Sequence, residues 1–326
     1  MNVVYLIGNG FDLNLGLKTS YSNFYKYYIA KKCNNDSIIS FKNLLTESGL
    51  WSDMEKALGV LSAKFESPDE YRLIYNDVNN SLREYIEAQN ERLHFSEAAS
   101  LKLLEYLANP KVDLTPATKD KLTQYVNRIG GQWNVNVISF NYTYSFEQLL
   151  GDSIGKNIGK NFQNTDTILR GIQHVHGRCD ETILLGVNSE SQIANASFRA
   201  DSALVRRLVK PVSNKTIEEN VDDKCADLIR NAHLIICFGL SFGETDRIWW
   251  DHIKTALSLG RVLLIFDYRS GVDIKHNKFA LGDCREETIK KIINNDASFN
   301  TDLILYSLNS EFFSGVSIDA PNEIPA

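Results

Sequence analysis

An unbroken apolar run, Val3 to Ile7, leads straight into Gly8-Asn9-Gly10. A run this short, closed by glycines, reads as a strand buried on both faces, the kind that parallel sheets use when helices cover them on both sides. Gly8 and Gly10 permit a tight turn and let another backbone or a ligand come close. The residues from Phe11 onward read as a helix start, whose free N–H groups would face whatever occupies the turn. Strand, glycine turn and helix start are the parts of a phosphate-binding crevice. A full dinucleotide fingerprint would place a third glycine where Leu13 stands, so on this stretch alone an empty tight turn is the better reading.

The chain of 326 residues has room for two domains or one large one, with 43% apolar and 23% charged residues. A formal net charge of -6 argues against binding nucleic acid through bulk electrostatics. No apolar run reaches membrane-span length, and the N-terminus lacks the basic start of a secretory signal. The five cysteines are scattered and include no C-x-x-C pair, which argues against a disulfide framework and a cysteine zinc site. A reducing, cytoplasmic setting is therefore expected, with no membrane partner and no metal.

Residues 17 to 131 read as helical. Ser20 or Thr19 can cap a first helix, Ser52-Asp53-Met54-Glu55 reads as a capping box, and Ser67-Pro68 starts a long helix running to about His94. Thr115-Pro116 starts another, ended by Gly130-Gly131. Strand signals resume at Val135–Phe140, Ile172–His176, Ile183–Val187, Leu234–Phe238, Val262–Phe266 and Leu303–Tyr306. Between them lie helical stretches at 200–209, stopped by Pro211, at 216–231 and at 245–257; residues 319–326 read as a frayed tail. The pattern predicts an α/β fold with a Rossmann-like, mostly parallel sheet. Residues 1–18 and 132–326 would form the nucleotide-binding domain, and 19–131 a large helical insertion after the first strand.

Ligands of open parallel sheets bind beyond the carboxyl ends of the strands. In this chain those ends carry Gly8-Asn9-Gly10-Phe11-Asp12, Asn141-Tyr142-Thr143, His174-Val175-His176-Gly177, Gly239-Leu240-Ser241 and Asp267. The order I-G-N-G-F-D, F-N-Y-T-x-x-x-E, H-V-H-G, F-G-x-S-F-G-E-T-D resembles the bacteriophage abortive-infection AbiH family over most of the chain. More distantly, it is similar to sirtuin-like NAD-consuming domains. That resemblance implies NAD as substrate, with Gly8, Asn9, Gly10 and Phe11 on one side of the dinucleotide, Gly239 and Ser241 at a second phosphate turn, and Asp267 on the adenosine ribose. It places Asn141 and His176 at the reaction centre. The four-cysteine zinc module of sirtuin deacylases is missing, so the resemblance implies an NAD hydrolase rather than a protein deacetylase.

The chemistry agrees with those residue types. Cleaving the nicotinamide–ribose bond passes through an oxocarbenium-like state with a neutral leaving group, so no acid is needed. Asparagine can orient water through its donor and acceptor. Histidine can take a proton from a hydroxyl. Asp12 or Glu147 can stabilise the developing positive charge. His174 and His176 alternate along a strand and are expected on one side. For each there is a plainer alternative: His176 as a core histidine, Asn141 as a cap for the helix ending near Leu150, Glu147 as a solvated helix residue, and Arg206, Arg207 and Lys210 as a solvated basic face. A trigger protein of phage or host origin, and self-association, remain open as partners. Two other functions compete with NAD cleavage: a nucleotide-binding sensor that acts through the helical region without turnover, and, less favoured, a nuclease.

Overall fold

Strand β1 (Asn2–Ile7) lies at the centre of the sheet. In this computed structural model, residues 1–111, 114–217, 220–273, 276–294, 296 and 299–318 are described. The other strands are β2 (Trp133–Ser139), β3 (Asn157–Lys160), β4 (Asp166–His174), β5 (Leu234–Phe238), β6 (Val262–Asp267) and β7 (Ile304–Leu308). Their order is β3-β4-β2-β1-β5-β6-β7, and every neighbouring pair is parallel except β3–β4. From β1 the chain steps out through β2 to β4, then returns to β5 and steps out the other way. This is the doubly wound, Rossmann-like arrangement, and its switch point lies between β1 and β5.

Burial on both faces follows from the sequence. On one face Tyr5, Ile7, Val135 and Val137 pack against Leu103, Leu107, Leu122 and Val126 of the helices Glu97–Ala108 and Pro116–Ile129. On the other, Val4, Leu6, Ile235 and Ile265 meet Ile229, Trp250, Ile253 and Ile292 of the helices Val221–Asn231, Arg247–Ser258 and Phe279–Ile293. A third cluster lies beside the sheet. It joins Phe24, Phe41, Leu58, Tyr71 and Val78, from helices between Tyr21 and Asn90, to Ile183, Leu185, Phe198 and Leu208 from the loop region after β4.

The helical segment 19–131 is thus divided between two cores. Its last two helices belong to the sheet layer, because their apolar stripes face β1 and β2. Its earlier helices build a lobe with residues 179–209, which lie outside the expected insertion.

Several local readings shift. Asp53, not Ser52, caps its helix by accepting from the Lys56 amide, so no Ser52–Glu55 box forms. Residues 183–187 form no strand; only an isolated bridge links Val187 to Val209. Pro211 starts rather than stops a helix: it sits in the first turn of Lys210–Thr216, where its missing N–H costs no hydrogen bond. The tail 319–326 and residues 218–219 of the stretch 216–231 lie outside the described residues.

Candidate active site

The carboxyl ends of β1, β2, β5 and β6 open into one cleft of about 560 Å³, which Gly8, Asn9, Gly10, Asp12, Asn141, His176, Gly239, Ser241 and Asp267 all help to line. Its far wall comes from the helical lobe, through Thr19, Tyr21, Asp53 and Glu55.

The two glycine turns touch at the switch point. The Gly8 amide donates to the Phe238 carbonyl (2.9 Å) and the Gly10 amide to the Gly239 carbonyl (3.0 Å). A Cβ on Gly8 would lie 2.4 Å from Gly239 O, and one on Gly10 would lie 2.4 Å from Gly239 Cα. Gly239 has φ +70°, and its own Cβ would meet Gly10 Cα at 2.6 Å. The glycines are therefore required by turn-on-turn packing whether or not a phosphate binds. Because the Gly8 and Gly10 amides are spent on protein carbonyls, other donors are needed for an anion. Among the described residues the amides of Leu240, Ser241 and Gly243 have no protein acceptor.

Phe11 is not in the cleft. The helix it begins is only Gly10–Asn14, and its ring is sealed between Phe146 and Phe313, with centroids 4.8 and 5.4 Å away. Its neighbour Asp12 lines the cleft and is buried; its carboxylate accepts from Thr143 Oγ1 (2.8 Å) and Ser145 Oγ (2.7 Å). Burial pushes the Asp12 carboxyl up to about 6, against those hydroxyl bonds, which favour the ionised form. Its ordinary value is 3.8, so between there and about 6 the folded protein holds a proton that the unfolded chain has lost. The stability this group contributes is complete below the lower value and falls as pH rises through the window, by up to roughly 3 kcal/mol. Asp12→Asn is therefore expected to be more stable than the parent at pH 7, with the difference closing near pH 4. Urea unfolding at the two pH values measures it, and a variant weaker at pH 7 would contradict the assignment.

Asn141 is nearly fully buried and does not cap the following helix, Ser145–Leu150, which has no side-chain cap. Its Oδ1 has no partner among the described residues. A buried carbonyl oxygen left unpaired costs about 1–3 kcal/mol, so its presence in a cleft wall points to a ligand or water donor.

The two histidines diverge. His174 ends β4, and its ring joins the Asn141 carbonyl (3.0 Å) to Glu147, which Arg178 also binds at 3.1 Å. Burial pushes the Glu147 carboxyl up, but the hydrogen bonds from His174 and Arg178 outweigh this and leave it below its ordinary value. Glu147 is thus a half-buried ion-pair partner rather than a solvated residue. His176 lies past the strand end, where alternation no longer holds, and only it of the two histidines lines the cleft. Its Nε2 is 2.9 Å from Asp246 Oδ1 and 3.2 Å from Lys210 Nζ. Among the described residues Nδ1 has no protein partner.

Lys210 overturns its reading as part of a solvated face. It is buried, and its ammonium donates to Glu55 Oε2 (2.9 Å) and Asp246 Oδ1 (2.7 Å). Burial works against charge on Lys210, but the two carboxylates outweigh it and raise the pKa. Burial would also raise Asp246, yet Lys210 and His176 hold it well below the usual carboxylate range. Glu55 stays above its ordinary value, through burial and the charge of Asp246, in spite of Lys210. Glu55, Lys210 and Asp246 were missed as a set because they are remote in sequence. Only Asp246, inside the F-G-x-S-F-G-E-T-D stretch, carried a signal.

Asp267 closes β6 at the edge of the cleft, where its Oδ2 accepts from Arg269 Nε (3.0 Å), Thr288 Oγ1 (3.1 Å) and the Tyr306 hydroxyl (2.6 Å). Among the described residues no group of three His, Cys, Asp or Glu side chains could hold a metal ion, and no helix is long and apolar enough to cross a membrane.

No curated protein matches the chain. Among solved structures, a mutant Sir2 homologue in complex with 2'-O-acetyl ADP ribose aligns over 82% of this chain and 80% of its own, at 12% identity and a TM-score of 0.32. The family model for bacteriophage abortive infection AbiH matches residues 4–268. That span runs from β1 to just past β6 and holds every residue of the cleft except Arg269, Thr288 and Lys291. The chain belongs to the AbiH family of bacteriophage abortive infection.

Proposed function

We propose that the protein cleaves NAD at the nicotinamide–ribose bond when a phage-derived or host trigger activates it, and that loss of NAD halts the infected cell. Membership of the AbiH family supports the setting in antiphage defence. The observation that carries the reaction is the convergence of Asn141, with its unpaired Oδ1, and His176, with its unengaged Nδ1, on one cleft at the β1–β5 switch point.

In this reading the pyrophosphate lies against the Leu240–Gly243 amides, and Asp267 faces the adenosine ribose. The C–N bond breaks and nicotinamide leaves with the bonding pair. Asp12, when ionised, offsets the positive charge on the ribose. Water held by Asn141 adds to the ribose carbon; its proton passes to His176 Nδ1 and then to solvent. The products are nicotinamide, ADP-ribose and a proton. His176 can act this way when its Nε2–H is directed at Asp246, which leaves Nδ1 as the acceptor.

Purified protein, alone and with lysate from phage-infected cells, is expected to release nicotinamide from NAD, read by chromatography. Unchanged NAD in both, and in infected cells that express the protein, would sink the proposal. A second reading rests on the helical lobe forming one wall of the cleft: a nucleotide bound there is sensed by the lobe without turnover. Tight NAD binding with no cleavage, and defence that survives His176→Ala, would favour it.

A further inference from the structure

We infer that Lys210 and Glu55 are positioning residues for His176, so that a helix of the lateral lobe sets the proton balance of the site's base. This deepens the proposed reaction and rests on His176 being its base. The geometry is a chain of direct contacts. Glu55 belongs to the helix Met54–Leu61 and lies 155 residues before Lys210 in sequence, yet its Oε2 is 2.9 Å from the ammonium. The same ammonium is 2.7 Å from Asp246 Oδ1 and 3.2 Å from His176 Nε2. The Tyr142 hydroxyl donates to the other Glu55 oxygen at 3.1 Å and shares a hydrogen bond with the Tyr21 hydroxyl. Thus the lobe, the segment after β4 and the turn after β5 meet at one imidazole.

Charge counting shows what the array does. Two carboxylates and one ammonium leave a net charge of −1, and a proton on His176 brings the array to zero. The array therefore makes a buried imidazolium tolerable during proton uptake. Lys210 acts in the opposite sense. At 3.2 Å from Nε2 its charge opposes the imidazolium and drives the proton off again, which returns the base. Glu55 moderates Lys210 by sharing its charge. Asp222 is the further carboxylate whose field the imidazole feels, from the neighbouring helix Val221–Asn231.

The two partners should therefore move His176 in opposite directions. In Lys210→Met, Asp246 and Glu55 face the imidazole without a competing cation, so its titration midpoint is expected to rise by about one pH unit or more. Nicotinamide release at pH 7 should then fall, by up to about tenfold per pH unit of the rise, and recover at higher pH. In Glu55→Gln the cation is less balanced, and the midpoint should fall. The double variant, Glu55→Gln with Lys210→Met, leaves no buried Glu55 charge unpaired and guards against misfolding; its midpoint should lie below that of Lys210→Met alone.

The readout is side-chain nitrogen NMR of histidine-labelled protein across pH, with His176→Asn supplying the assignment, beside the pH profile of turnover. A His176 midpoint that stays in place in both single variants overturns the inference, even where NAD is cleaved. Opposed shifts without NAD cleavage by any form, the parent included, overturn the NAD reading and leave the array's hold on His176 standing.

Discussion

His176→Ala is expected to abolish nicotinamide release, with a loss of about 10²- to 10⁴-fold, the usual contribution of a positioned general base. NAD affinity should change only a few-fold, because the proposed dinucleotide contacts come from the Leu240–Gly243 turn and Asp267 rather than from the imidazole. His174→Ala tests the contrast. Its ring sits on the Asn141 carbonyl and Glu147, away from the cleft wall, so its loss should weaken the fold and cost less in rate. Steady-state rates, NAD titration by calorimetry and thermal unfolding separate the cases. Equal rate losses in the two variants would remove His176 from its special place. The result also bears on Asn141, since Asn141→Ala should lower the rate while removing an unpaired buried oxygen, and so need not destabilise the protein.

Gly239→Ala is expected to be among the most damaging small substitutions in the cleft. A left-handed alanine costs about 1–2 kcal/mol. Its Cβ would also lie 2.6 Å from Gly10 Cα and 2.7 Å from Gly10 N, backbone atoms that cannot rotate away. Relief requires prising apart the ends of β1 and β5, and forced overpacking adds about 1–3 kcal/mol. A loss of roughly 2–5 kcal/mol is expected, seen as a lower urea midpoint and poor soluble yield. Parental stability in this variant would contradict the contact.

This result changes what the glycines mean. Gly8-Asn9-Gly10 and Gly239 read as phosphate turns, but their steric need is met by each other. Much of the sheet was legible. β1 and β5 are short unbroken apolar runs ended by glycine, and their length with the closing glycine marks them. β3 was not, because Asn157-Ile158-Gly159-Lys160 is a mostly exposed hairpin edge with no pattern to read. Lys210 was illegible for another reason. Beside Arg206 and Arg207 it looks like surface, and only its distant partners Glu55 and Asp246 make burial tolerable. Phe11 misled because adjacent residues of one short turn face opposite ways, so the aromatic ring serves the core and Asp12 the cleft. Asn141 and His176 were legible as residues of strand ends, although the parity argument that paired His176 with His174 fails where the strand has already ended.

The central place of β1 has a consequence for how the protein is made. Val3 pairs on one side with Val135 and on the other with Leu234, more than 200 positions later. At synthesis rates of about 5–20 residues per second, the Val3–Ile7 segment leaves the ribosome on the order of ten to fifty seconds before β5 does. For that interval an apolar strand has no second edge to dock on. Production of the protein should therefore depend on chaperones that hold early-emerging apolar segments, and its yield should fall when translation of the stretch between β2 and β5 is slowed.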